Sequence, residues 1–467
     1  MNFKAKGLYT FCVCLLSVVF NGYSQSDQKN ELLPRIKVSE NQHYFVTDTG
    51  KPFFWLGDTA WLLFGKLDRA GVENYFQDRK EKGFNVVQVM ILHTLNMTNM
   101  YGDTALINED ISKPLITSGN DFKNPVEYDY WDHIDYVLDV AQKNGIYVAM
   151  VPVWGTNVAK GNKVNEDQAL KYAQFLADRY KNRTNVIWLN GGDTKGNEFQ
   201  NIWNTIGTTI KNSNPEALMT FHPFGRTDSS DNFQNAKWLD FNMFQSGHRT
   251  YDQDTLQNSF KEDNYKYVQR DLTLKPIKPT LDGEPSYEGI PHGLHDTLQP
   301  KWTDNDVRRY GYWSVFAGAA GYTYGHSAVM QMFRKGDKAA YGNKVLWSAA
   351  INAPGAQQIG YLKKLILDFP YMESVADQSL VANQGKKYDY LAAARGKNYA
   401  LVYTYNGRKI IVNMGKIAGK KVKANWYNPR NGNTTKIGIF ANKGTQEFQP
   451  SGKKEDGNDW VLILKSN

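Results

Sequence analysis

Phe53-Phe54-Trp55-Leu56-Gly57-Asp58-Thr59-Ala60-Trp61 is a short apolar run that ends in an aspartate and a tryptophan. No glycine-rich phosphate loop follows it, which argues against a doubly wound nucleotide-binding sheet. Downstream, a helical pattern over Arg69–Lys82 is stopped by Gly83, and a second apolar run follows at Val86–Leu92. The same unit then recurs. Further strands are predicted at Tyr147–Val153, Val186–Leu189, Leu218–Phe221, Phe241–Gln245, Pro279–Asp282 and Gly321–Tyr324. Helices are predicted between most of them, at Trp131–Asn144, Glu166–Tyr180, Glu198–Lys211, Leu256–Leu272 and Asp304–Ala317, with a last one at Gly355–Leu367. Eight strands alternating with helices read as α/β, a (β/α)8 TIM barrel. Only the connection from the fifth strand to the sixth shows no helical pattern.

Beyond Pro370 the period changes to short alternating runs separated by turn dipeptides, among them Asn406-Gly407 and Asn431-Gly432. The expectation is a C-terminal antiparallel β-sandwich, residues 376–467, packed directly on a catalytic domain, residues 25–375. No low-complexity linker separates the two. At the other end, Lys4 and Lys6 precede the apolar run Gly7 to Phe20, and Gly22 and Ser24 are small. This reads as a signal peptide, residues 1–24, cut after Ser24, and implies a periplasmic or secreted protein. Both cysteines, Cys12 and Cys14, lie in that segment, so thiol catalysis and thiolate metal ligation are excluded.

Composition narrows the partners. No apolar run reaches the ~20 residues that cross a bilayer, so no membrane anchor is expected. The formal net charge of +8 is concentrated at one end: from Ala376 onward 16 Lys and Arg face 6 Asp and Glu, an excess of 10. No nucleic-acid-binding motif accompanies that excess, so nucleic acid is not an expected partner, and the basic surface reads as a solvated face. Aromatic residues make up 13% of the chain, and flat rings are what sugar rings stack on. A monomer is expected.

In a barrel of this kind polar residues at the C-terminal ends of the strands face the active site. Here those ends carry Asp58 and Trp61, His93, Trp154, Asp193, His222 and Arg226, Gln245 and His248, Glu284, then Tyr324 and His326. Asp193 and Glu284 follow the fourth and seventh strands, across the mouth from each other. Glycoside hydrolysis needs two such carboxyls, one to protonate the leaving oxygen and one as nucleophile or base. A separation of ~5–5.5 Å would mean retention of configuration, and ~6.5–9.5 Å inversion. Sugar hydroxyls would meet Asp58, His93, His222, Gln245, His248 and His326, and ring faces would meet Trp61, Trp154, Tyr287 and Tyr324. The histidines stand singly on different strands, so neither a catalytic metal nor another cofactor is expected.

The stretches Gly57-Asp58-Thr59-Ala60-Trp61, Trp188-Leu189-Asn190-Gly191-Gly192-Asp193, Phe221-His222-Pro223, Gln245-Ser246-Gly247-His248 and Asp282-Gly283-Glu284-Pro285 resemble the apiosidase-like glycoside hydrolases of family 140, over Val38 to Phe369. The tail, with Trp426-Tyr427-Asn428-Pro429-Arg430-Asn431-Gly432 and Asp459-Trp460-Val461, is similar to the collagen-binding β-sandwich that commonly follows that domain. The resemblance implies a (β/α)8 barrel that cleaves apiose linkages in the pectin rhamnogalacturonan II, with Asp193 as acid/base and Glu284 as nucleophile. An oligo- or polysaccharide substrate follows. The rival class is a non-catalytic carbohydrate- or matrix-binding protein on a barrel scaffold, with the basic sandwich as its working part. Retention of both carboxylates speaks against it.

Overall fold

The computed structural model describes residues 1–2, 32–159, 163–257 and 259–467. The predicted leader's apolar run and its cleavage point lie outside them. Eight strands form the barrel: β1 Trp55–Thr59, β2 Val86–Leu92, β3 Tyr147–Val153, β4 Val186–Thr194, β5 Met219–Pro223, β6 Asn242–Phe244, β7 Thr280–Asp282 and β8 Gly321–Tyr324. They pair in the order β5-β4-β3-β2-β1-β8-β7-β6, and every ladder is parallel. Between β5 and β6 the ring closes by single contacts, such as the Asp240 N–H donating to the Met219 carbonyl at 2.8 Å. Strands such as β2 and β3 are buried along their whole length, which is why they read as near-continuous apolar runs.

Helices α1 Arg69–Glu81, α2 Tyr130–Lys143, α3 Glu166–Tyr180, α4 Gln200–Ser213, α5 Tyr265–Asp271, α6 Asp304–Phe316 and α7 Pro354–Leu367 surround the barrel. Their ends are chemically marked. Asp68 accepts from the Gly71 N–H at 2.8 Å, and Asp129 with Asp132 and Asn165 with Gln168 form reciprocal capping boxes. Gly83 and Gly145 close α1 and α2 at φ of +88° and +73°, a conformation that costs glycine nothing. The expected helix Leu256–Leu272 shortens to α5. The segment before it instead wraps polar side chains around Asp254 and Glu262, where Asp254 accepts from the Leu256 N–H at 3.1 Å and Glu262 from the Tyr251 N–H at 2.7 Å. Between β5 and β6 there is a single helical turn, Ser230–Phe233, anchored by Phe233 against Phe221.

The underside of the barrel is plugged by antiparallel strands Ile36–Val38, Phe45–Thr47 and Pro52–Phe53. The fully buried Phe45 ring packs there on Trp55 and Phe241. The tail is two antiparallel sheets. One orders β9 Val375–Ala376, β10 Leu391–Arg395, β11 Tyr399–Thr404, β16 Trp460–Ser466, β13 Lys421–Tyr427 and β14 Thr434–Ala441. The other pairs β12 Ile410–Asn413 with β15 Thr445–Phe448. Gly407 and Gly432 sit at φ of +67° and +73°, as the turn dipeptides require. The tail packs on α6: Tyr312 stacks on Tyr403 at 4.7 Å, Tyr265 of α5 on Tyr390 at 3.9 Å, and Arg309 meets Glu262 beneath the Tyr388 hydroxyl.

Candidate active site

Strand β4 runs further than its apolar stretch, through Gly191-Gly192-Asp193 to Thr194. Gly191 and Gly192 have φ of +89° and +105°, and Asp193 itself lies at +49°. The ladder with β5 pairs Gly191 with His222 and then jumps to Thr194 with Pro223, so two residues bulge out of the sheet. A Cβ on Gly191 would sit 2.5 Å from the Phe221 ring, and one on Gly192 would sit 2.4 Å from the Trp154 ring. Only glycines fit, and the bulge they permit turns Asp193 into the barrel mouth.

Glu284 follows β7 and is 6% exposed. His248 Nε2 lies 3.1 Å from its Oε1, and His222 Nε2 lies 3.1 Å from its Oε2, at an angle too bent for a good hydrogen bond. The Tyr287 N–H donates to His248 Nδ1 at 3.4 Å, which leaves Nε2 to carry the hydrogen given to Glu284. Burial alone would push the Glu284 carboxyl up. The two imidazoles outweigh it and hold the group at about 2, ionised across the neutral range.

Asp193 behaves in the opposite way. Burial, and then the charge of Glu284, push it up to about 6, against the pull of His222 and of the neighbouring Gln245 amide. Both carboxyls line one cavity of about 280 Å³. The remaining carboxyl of the motif, Asp282, points elsewhere. It is fully buried and pushed up to about 7 by that burial, although Asn264 donates to it at 3.0 Å and the Ser246 hydroxyl also bonds it.

The cavity gathers most of the residues expected from the sequence. Beside Asp193 and Glu284 stand Trp61, His93, Trp154, Gln245, His248 and Tyr287. Trp61 and Trp154 tilt against each other at 5.4 Å, and the Trp61 indole N–H donates to the Tyr287 hydroxyl at 3.1 Å, which fixes the ring. Four expected sugar contacts require correction. His222 is fully buried behind Glu284 and serves that carboxylate. Asp58 faces the helix layer, where Arg79 Nε of α1 pairs with it at 2.7 Å and Tyr75 bonds it, both partners being fully buried. Tyr324 is fully buried and donates to Glu288 at 2.7 Å. His326 is spent as a cap, its Nδ1 accepting from the Ala328 N–H at 3.0 Å.

The sequence reading missed the far wall. Tyr341 and Gln331 reach the cavity from the long loop after β8. The Gln331 side chain ties that loop to itself, accepting from the Ala340 N–H at 2.9 Å and donating to the Ser327 carbonyl at 2.7 Å. Tyr341 stands near enough to both carboxylates for their charge to raise its hydroxyl pKa further, on top of burial. Nothing in the loop's polar, aperiodic sequence marks it as part of a site.

A closed parallel barrel with one carboxyl held low and another raised by burial, both facing one aromatic-lined cleft, has the make-up of a glycoside hydrolase. The comparisons with known proteins agree. The chain belongs to the apiosidase-like family: the model described as "Apiosidase-like, catalytic domain" matches residues 39–373. A second model, described as "Putative collagen-binding domain of a collagenase", matches residues 375–465. Among solved structures, one described as a glycoside hydrolase is 44% identical, covering 93% of this chain and 97% of that one, with a TM-score of 0.87. Another, described as a glycoside hydrolase family 5 from Bacteroides vulgatus ATCC 8482, is 42% identical over 92% and 93% of the two chains, also with a TM-score of 0.87. The search of curated proteins gives no match. The protein is a glycosidase.

Proposed function

We propose that this enzyme is an exported retaining glycosidase that cleaves plant polysaccharide fragments, with Glu284 as nucleophile and Asp193 as acid/base. The observation that carries the reading is the pair of carboxyls on one cavity, Glu284 in contact with two imidazoles and Asp193 on the facing side without such partners among the described residues. Glu284, held anionic by His248 and His222, attacks the anomeric carbon as Asp193 gives its proton to the glycosidic oxygen. A glycosyl ester on Glu284 results and the leaving alcohol departs. Asp193, now anionic, takes a proton from water, which attacks the same carbon and frees Glu284. Trp61 and Trp154 cover the sugar ring, and Gln245 holds Asp193 while it is charged.

Apiose linkages of rhamnogalacturonan II are the substrate we infer, on the strength of the family. The amino-terminal leader supports export. The test is turnover of pectic oligosaccharides and aryl glycosides, with the anomer of the first product read by NMR. Retention with loss of turnover in Glu284→Ala supports the reading. A fully active Glu284→Ala enzyme removes it, and binding to matrix protein without any turnover would favour an adhesion role.

A further inference from the structure

Arg226 lies three residues past the end of β5, 6% exposed, at φ +66°, a left-handed backbone that side chains other than glycine seldom adopt. It does not line the cavity. Its guanidinium nevertheless donates to three carbonyls, those of Ser246, Arg249 and Lys261, and its Nε stands 3.2 Å from Oδ2 of the buried Asp254. Among the described residues no other donor reaches those three carbonyls. Its own backbone N–H donates to the Gln245 carbonyl at 2.8 Å. Contacts therefore fall on residues 245, 246 and 249, the two ends of the segment that presents Gln245 and His248.

Those two side chains serve different carboxyls. The Gln245 amide stands close enough to Asp193 to lower its pKa, and His248 Nε2 bonds Glu284 at 3.1 Å. We infer that Arg226 is a positioning residue for the reaction: by pinning residues 245–249 it holds Gln245 against Asp193 and His248 against Glu284, without touching substrate. The inference rests on the catalytic reading of that pair. A displacement of the segment by even ~1 Å would loosen the His248 hydrogen bond and move Gln245 away from Asp193 together, and misplacement on that scale can cost a hundredfold in rate. The other groups facing the two carboxyls, His222, Tyr287 and Tyr341, stand on other segments and would be left in place.

The test uses the full enzyme and an aryl glycoside that it hydrolyses, with kcat and KM measured against pH for Arg226→Ala and Asp254→Asn. In Arg226→Ala, kcat is expected to fall about 10- to 100-fold while KM changes less than about threefold. The acidic limb of kcat/KM moves upward, because Glu284 loses the grip of His248. Low-millimolar guanidinium chloride restores part of the rate. Asp254→Asn, which loosens the guanidinium and leaves it present, moves the same limb the same way by less, and decides the matter if Arg226→Ala does not fold. Wild-type kinetics in either folded variant, or a rate loss with an unmoved limb and no rescue, overturns the inference. Glu284→Gln and Asp193→Asn run alongside: if they turn over normally, the catalytic pair itself is misassigned. If they are inactive while Arg226→Ala is normal, only the role of Arg226 falls.

Discussion

Arg308 on α6 grips Asp459 of the tail with two parallel hydrogen bonds, Nε to Oδ2 at 2.8 Å and Nη2 to Oδ1 at 2.9 Å, and both side chains are fully buried. Such a pair holds barrel and tail together through geometry, because the cost of taking two charges out of water cancels much of their attraction. Breaking it leaves the buried Arg308 with Asp304, at 2.7 Å, as its remaining carboxylate partner. Asp459→Ala should lower stability by about 3–5 kcal/mol, seen as a lower Tm, with kcat of the folded enzyme unchanged at low temperature. Truncation after Ser374 would uncover Tyr312, Tyr265 and Arg308 at once and should give an insoluble barrel. A soluble, active truncated barrel would show that the tail is a separable module.

The pH profile follows from the two carboxyls. Turnover needs Asp193 protonated, so kcat/KM should decline as pH rises through about 6. It needs Glu284 ionised, so the acidic decline should come only near about 2. An initial-rate profile on an uncharged aryl glycoside checks both limbs, and a basic limb far above 8 would contradict the assignment of the acid.

Asp193 also leaves a mark on stability. Its folded pKa is raised, so between about 4 and about 6 the folded state binds more protons than the unfolded one, and stability falls as pH rises through that window. Asp193→Asn removes this fall. The variant should be about 3 kcal/mol more stable than wild type at pH 8, with the difference gone near pH 4. Chemical denaturation at the two pH values measures it.

Glu284→Gln should reduce kcat by about a thousandfold or more, since it removes the proposed nucleophile. It also removes the charge that raises Asp193, so the Asp193 carboxyl should titrate lower in the variant. Carbon NMR of labelled aspartate reads that shift directly. An unmoved titration would mean that the two groups are not within electrostatic reach.

Gly192→Ala places a methyl group 2.4 Å from the Trp154 ring on a backbone at φ +105°. A loss of about 1–3 kcal/mol in stability is expected from the strained backbone alone. The folded fraction should be slow as well, because the bulge aims Asp193. Measuring Tm and kcat together separates the two effects.

Much of this protein is legible in its sequence. Val86–Leu92, Tyr147–Val153 and Gly321–Tyr324 match their strands to the residue, because a parallel strand buried on both faces is apolar along nearly all of its length. Asp193 and Glu284 were legible too, as carboxylates at strand ends flanked by glycine. The failures have one physical origin. A strand-end position says which mouth of the barrel a residue is near, and not which way its side chain turns. Asp58 turns outward to Arg79, Tyr324 goes to Glu288, and His326 caps a turn. Tyr341 enters the site from a loop with no periodicity at all, and the tie between α6 and Asp459 joins residues 151 apart in the chain. Local patterning is set by hydrophobic burial along one element, so the sequence by itself determined the barrel, the sandwich and the carboxylate pair. Which side chains meet depends on contacts between distant segments, so only the tertiary structure decided which groups hold the Glu284 carboxyl low, which raise that of Asp193 and what anchors the tail.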